Sequence, residues 1–333
     1  MLRLVRRLAQ LGACVAVLCA LATAACGGGD GGDDRLLVVT TVSPIRSIIE
    51  NVGGDHVDVI GLVPEGTNSH TFEPAPSAAR VLAEADLVVI NGLNLELPTL
   101  ELARANTEAE IVLLGDTVIP VDQYVFDFSF PETGGNPNPH AWTDPHFAVA
   151  YAEVVRDSLV KRDPEAAGYY SMNLDAFRTR ISALDRLFAE ALGTIPPANR
   201  KLLTYHDSFP YFGPRYGLEI IGAIEPSDFS EPAPQEVAAL IAQIREVNLP
   251  AIFGSEVFPS PVLDRIAEEA GAVQVSALRD DDLPGEPGDP TNTYFAMMVE
   301  NVRAIAQSLG GDSDVLDGVD VSNTWIPFAR FDG

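Results

Sequence analysis

From Leu36 onward, short apolar blocks alternate with stretches that repeat apolar positions at helical spacing. LLVVTTV (36–42), VDVIGLVP (57–64), DLVVINGL (86–93) and IVLLGD (111–116) read as buried strands, with helices at PIRSIIENVGG (44–54) and SAARVLAEA (77–85). From about Ala148 to Leu192 the strands vanish and helical spacing continues, broken only near Asp163 and Pro164. The second part of that stretch predicts a helix of about 28 residues, roughly 40 Å long. Alternation then resumes. KLLTYH (201–206), LEIIGAI (218–224), AIFGSE (251–256) and AVQVSA (272–277) read as strands. APQEVAALIAQIREVN (233–248), SPVLDRIAEEAG (260–271) and TYFAMMVENVRAIAQSL (293–309) read as helices, with Met297 and Met298 as core residues of the last. Strand-helix alternation of this kind builds parallel sheets covered by helices. The expected fold is α/β: an N-terminal lobe over 36–163, one long backbone helix over 164–195 and a C-terminal lobe over 196–333.

The residues before Leu36 follow a different pattern. Arg3, Arg6 and Arg7 precede an apolar run that stops at small residues, the layout of a secretory signal peptide over 1–25. That run is short and soon interrupted for a membrane span. TAAC, ending at Cys26, resembles a bacterial lipobox with lipid on the Cys26 thiol, although Thr23 stands where leucine is usual. LGAC, ending at Cys14, fits the letters better but leaves almost no apolar stretch ahead of it, so Cys26 is preferred. The Gly/Asp-rich residues 26–35 then form a lipidated, flexible tether. Cys14 and Cys19 leave with the signal, and the folded body keeps no thiol for a disulfide or a metal. The expected location is extracytoplasmic, in the periplasm or on the cell surface, with membrane attachment through lipid alone.

Charge narrows the ligand class. Lys plus Arg is 21 against 48 Asp plus Glu, a net charge of −27, which excludes nucleic acid because phosphate binding needs clustered cations. Such acidity commonly serves solubility. As an attractor for cations it is weak, since salt screens surface charge over about 8 Å.

The chain has five histidines. Ligands of open α/β sheets bind beyond the carboxyl ends of strands, and three histidines stand in or near such places. His70 lies in the loop VPEGTNSHTFEPAPS, His140 in the proline-rich NPNPHAWTDPHF, and His206 closes KLLTYH. His56, in GGDHVDV, falls in a polar turn expected to face water, and His146 begins a helix where capping or packing accounts for it. No H-E-x-x-H or cysteine pair is present, so a metal site must come from a long-range combination.

Four blocks, in order, carry such a combination. GTNSHTFEPAPS, NPHAWTDP, TYHDSFPYF and LRDDDLPGEPGDPTNTYFAMMVENV resemble segments of the TroA-like zinc and manganese solute-binding receptors of bacterial ABC importers, and the resemblance runs from about Leu36 to the C-terminus. Asn138 replaces the aspartate of the family's D-P-H-x-W-x-D-P. The resemblance implies His70, His140 and His206 as metal ligands, with a fourth from the DDDL turn. The family's Asp-x-Leu spacing selects Asp281, and a slip of one residue would select Asp280 or Asp282. Glu256 matches an acidic position near the family's site and is expected either behind the ligands or in a structural role. Trp142 is expected to pack, with shielding of the site as the alternative.

The implied function is capture of a divalent metal ion by a monomeric, non-enzymatic receptor and its delivery to an ABC permease. Three imidazoles and one carboxylate suit Zn2+, which outranks Mn2+ at nitrogen donors. A bidentate Asp281 would suit Mn2+ better, and the His-rich loop frequent in zinc-specific members is missing ahead of His140. Four protein ligands leave no open position for an activated water, so catalysis is not expected. A metal-stabilised surface adhesin or structural lipoprotein is the alternative reading.

Overall fold

In the computed structural model, which describes residues 35–257 and 260–325, eight strands form two sheets. The signal peptide, Cys26 and nearly all of the tether lie outside the described residues. The first lobe contains β1 (Leu36–Thr40), α1 (Ser43–Gly53), β2 (Val57–Gly61), α2 (Ala78–Glu84), β3 (Leu87–Ile90), α3 (Leu97–Asn106), β4 (Glu110–Leu113) and the short α4 (Leu114–Val118). Two helices follow, α5 (Pro145–Arg162) and α6 (Ala167–Gly193). The second lobe contains β5 (Lys201–Thr204), the short α7 (Phe212–Arg215), β6 (Glu219–Ala223), α8 (Pro234–Val247), β7 (Ala251–Ser255), α9 (Pro261–Ala270), β8 (Val273–Leu278) and α10 (Tyr294–Ser308). The sheet orders are β2-β1-β3-β4 and β6-β5-β7-β8, and every pairing is parallel. β3 and β7 bury every residue, as continuous apolar strands do when helices cover both sheet faces.

Helix ends follow local chemistry. Asp144 accepts the His146 backbone N–H at 2.8 Å and starts α5 three residues ahead of the sequence expectation. Asp163 and Pro164 interrupt the helical stretch with a 3-10 turn before α6. Helix α3 was not legible in the sequence. It buries only Thr99, Leu100 and Ala103, too narrow an apolar stripe to stand out from its surroundings.

α6 is 27 residues long and packs against α5, against α1 of the first lobe and against α10 of the second. One continuous core therefore runs through the molecule: Val38 and Ile45 of the first lobe, Phe177 and Leu184 of α6, and Leu202, Phe253 and Tyr294 of the second. Polar links cross between the lobes as well. Tyr294 N–H donates to Ser47 Oγ at 3.0 Å, Tyr294 Oη to the Trp142 carbonyl at 2.7 Å, and Trp142 Nε1 to the Asp280 carbonyl at 2.8 Å. Trp142, Met297 and Met298 are all buried in this core.

His56 departs in part from expectation. Its ring packs 4.8 Å from that of Tyr169, and Nδ1 lies 3.5 Å from Asp163 Oδ2, so it faces the junction between α5 and α6 and is only partly exposed to water. His146 is exposed at the start of α5.

Candidate metal centre

The carboxyl ends of the strands deliver the histidines to one point. His70 comes from the loop after β2, His140 from the loop before α5, and His206 from two residues past β5. Their Nε2 atoms form a triangle, with 3.2 Å between His70 and His140, 3.2 Å between His70 and His206, and 3.0 Å between His140 and His206. Zinc–imidazole bonds of about 2.0–2.1 Å in a tetrahedron set their nitrogens about 3.3 Å apart, close to these edges. The group is the one His/Cys/Asp/Glu cluster of metal-holding geometry among the described residues.

Two of the rings have their tautomer set from behind. His140 Nδ1 meets Asn138 Oδ1 at 2.8 Å, and His206 Nδ1 meets Glu225 Oε2 at 2.6 Å. With their Nδ1–H groups committed outward, both rings present Nε2 to the centre. Asn138 is itself held, donating through Nδ2 to the Asp207 carbonyl at 2.7 Å. Asn91 adds support by donating to the Pro139 carbonyl at 3.0 Å. Its own backbone N–H goes to buried Glu96, which burial pushes up to about 7.

The aspartate turn after β8 lies beside His206, and Asp280, Asp281 and Asp282 stand outside the group of three histidines whose nitrogens come together. Asp280 Oδ2 lies 3.8 Å from His206 Nε2. Asp281 Oδ2 accepts the Ser69 N–H at 3.2 Å, and Asp282 Oδ2 accepts the N–H of Gly66 at 2.6 Å, where a φ of +76° turns the chain toward it. The loop carrying His70 thus rests on the turn. Asp280 Oδ2 and Asp281 Oδ1 are buried without a hydrogen-bond partner among the described residues, free for a cation. Beneath them a single oxygen, Glu256 Oε1, accepts the backbone N–H groups of Asp280, Asp281 and Asp282 at 2.9, 3.1 and 3.0 Å. Glu256 therefore shapes the turn from behind. Trp142 is buried and packs edge-on against His140, 5.1 Å ring to ring.

The charges are those of a cation site. Burial, followed by the charge of neighbouring His206, holds His70 and His140 well below 6.5. Burial would lower His206 too, but Asp280, Glu225 and Asp281 together raise it to about 9. Burial lifts Asp281 to about 6. One proton on His206 stands where a cation would, and the ring nitrogens and free carboxylate oxygens then have a natural exchange partner in a divalent ion.

Glu225 and Phe229 were missed in the sequence. Glu225 lies two residues past β6, so the strand-end rule that selected the histidines would have found it if applied to carboxylates. Phe229 stacks on His70 with centroids 4.4 Å apart, a contact no local pattern signals.

Comparison with known proteins identifies the family. The family model described as "Zinc-uptake complex component A periplasmic" (ZnuA) matches residues 38–308. The chain is 29% identical over 301 residues to the manganese-binding lipoprotein MntA of Halalkalibacterium halodurans, covering 89% of this chain and 97% of that protein. It is 31% identical over 278 residues to the iron-binding protein YfeA of Yersinia pestis, covering 83% and 87%. Among solved structures, the periplasmic zinc-binding protein TroA of Treponema pallidum superposes with a TM-score of 0.75 at 27% identity, covering 83% of this chain and 99% of that one. The family match covers most of the stretch over which the four-block resemblance runs. The chain belongs to the ZnuA family of metal-binding receptors that serve ABC importers: extracytoplasmic, lipid-anchored proteins that bind their cargo and catalyse no reaction.

Proposed function

We propose that this receptor captures Zn2+ in preference to Mn2+ and passes it, as a monomer anchored through Cys26, to a membrane permease. The observation that carries the reading is the triangle of three Nε2 atoms at 3.0–3.2 Å, two of them held by outward hydrogen bonds. Borderline nitrogen donors favour zinc on the Irving–Williams order. The fourth ligand is Asp281, selected by the Asp-x-Leu spacing and supported by its unpartnered Oδ1. One observation favours manganese. Asp280 Oδ2 is also unpartnered and lies near His206, so a second carboxylate can enlarge the shell to the higher coordination of a harder ion.

The test is calorimetric titration of chelator-stripped protein with each ion, in the parent, His140→Ala, Asp281→Asn and Asp280→Asn. One tight zinc site is expected. His140→Ala and Asp281→Asn should weaken it by more than the about 10–100-fold typical of losing a supporting residue, whereas Asp280→Asn should fall within that range. Tighter manganese than zinc binding, with Asp280→Asn the more damaging aspartate change, would transfer the reading to manganese. Undiminished binding by His140→Ala would reject the site.

A further inference from the structure

His140 and His206 are oriented through hydrogen bonds at Nδ1, whereas His70 is held by aromatic rings. Phe229 stacks against it at 4.4 Å between centroids and 19° between planes, and Phe130 lies 5.5 Å away on a tilted plane. His70 is also the one ring of the three that is only half-buried. It lines a cavity of about 440 Å³ that opens beside the centre, together with Ser129, Phe130, Asn136 and Phe229. An ion arriving through that cavity meets His70 first.

Phe229 holds this position against local preference. Its φ is +56°, a left-handed conformation that bulky side chains rarely adopt and that persists only where surrounding contacts impose it. The contacts are present. The loop is pinned at its start, where Glu225 N–H donates to the Tyr205 carbonyl at 2.9 Å and Ser129 Oγ to the Glu225 carbonyl at 2.6 Å. Phe229 N–H then folds back onto the Pro226 carbonyl at 3.0 Å. The same short segment therefore holds two ligands: Glu225 fixes His206 by hydrogen bonding, and Phe229 fixes His70 by stacking.

We infer that Phe229 is the positioning residue of His70 and that its ring must swing aside for the ion to enter or leave. The segment after β6 thus sets the rate of metal exchange as well as the orientation of a ligand. Because Phe229 is held in a backbone conformation it does not prefer, its stacked position relies on the surrounding contacts for support.

This inference rests on the proposed metal site, and the experiment separates the two. Zinc-loaded protein is mixed with excess chelator in a stopped-flow instrument, for the parent, Phe229→Ala and Phe229→Tyr. Calorimetric stoichiometry and the melting temperature of the metal-free protein are measured alongside. Phe229→Ala should release zinc faster by about 10-fold or more, the scale at which supporting residues act on metal sites, and should take it up no more slowly. Phe229→Tyr, which keeps the stacked ring, should release within about threefold of the parent. Both variants should bind one ion and melt no lower than the parent. Equal release by Phe229→Ala and parent would overturn the inference, as would acceleration in both variants accompanied by lower melting, which marks simple loop damage. If the parent bound no zinc tightly, the failure would belong to the proposed site.

Discussion

At the residue scale, three nitrogens 3.0–3.2 Å apart have room for one proton or one cation between them, not both. His206 carries the proton, because Asp280, Glu225 and Asp281 outweigh the effect of its burial and raise it to about 9. The sign follows directly. Below about 9 the ion must displace that proton, so affinity should rise with pH up to this value and fall by about tenfold per unit beneath it. His70 and His140, held well below 6.5, stay neutral near pH 7 and add no further loss there. Asp281 contributes a second proton only below about 6. Titration at pH 7 in buffers of differing ionisation enthalpy should report one proton released per ion, and a count of zero would mean that His206 is neutral before the ion arrives.

At the element scale, one carboxylate oxygen gathers the backbone of the turn after β8. Glu256 Oε1 receives three consecutive backbone N–H groups, so removing it strands those of Asp280 and Asp282 and leaves that of Asp281 only its 3.1 Å bond to Asp280 Oδ1. Glu256→Ala should destabilise the fold by about 1–3 kcal/mol, the cost of stranding buried polar groups. It should also weaken metal binding by about 10–100-fold. Glu256→Gln retains the oxygen and should stay near the parent in both respects. Denaturant unfolding and calorimetry on the pair check this. Parent-like binding by the alanine variant would show that the turn holds its shape unaided.

At the scale of the whole molecule, α6 and the continuous core decide how the receptor moves. Phe177, Leu184, Leu202 and Tyr294 belong to one packed cluster with Val38 and Ile45, so opening the lobes widely would expose much of that core. Movement is then local: the loop carrying His70 is tied to the turn after β8 by the Gly66–Asp282 and Ser69–Asp281 bonds, which can loosen without opening the core. Chelation should therefore leave the circular dichroism of the body intact, and small-angle scattering should not show the expansion of a wide hinge. Unfolding on metal removal would identify the ion as a structural staple and favour the adhesin or structural-lipoprotein reading.

Much of this was determined by the chain locally. Continuous apolar runs and period-3.6 patterns are set by neighbouring residues, so the strands, the break at Asp163 and Pro164, and the 27-residue α6 were legible before folding. The three histidines were legible as strand-end residues, and the order of four blocks made their family recognisable. Helix α3, with its narrow buried face, was not, and His56 was assigned to water because nothing near it in the chain announces Tyr169 or Asp163. Tertiary structure alone decided what each ring faces. Asn138 lies only two residues from His140, but Glu225 behind His206, Phe229 over His70 and Glu256 beneath three amides are contacts between segments up to 159 residues apart. Orientation, tautomer and charge depend on those through-space neighbours, and the lobes and core that bring them together exist only once the chain has folded.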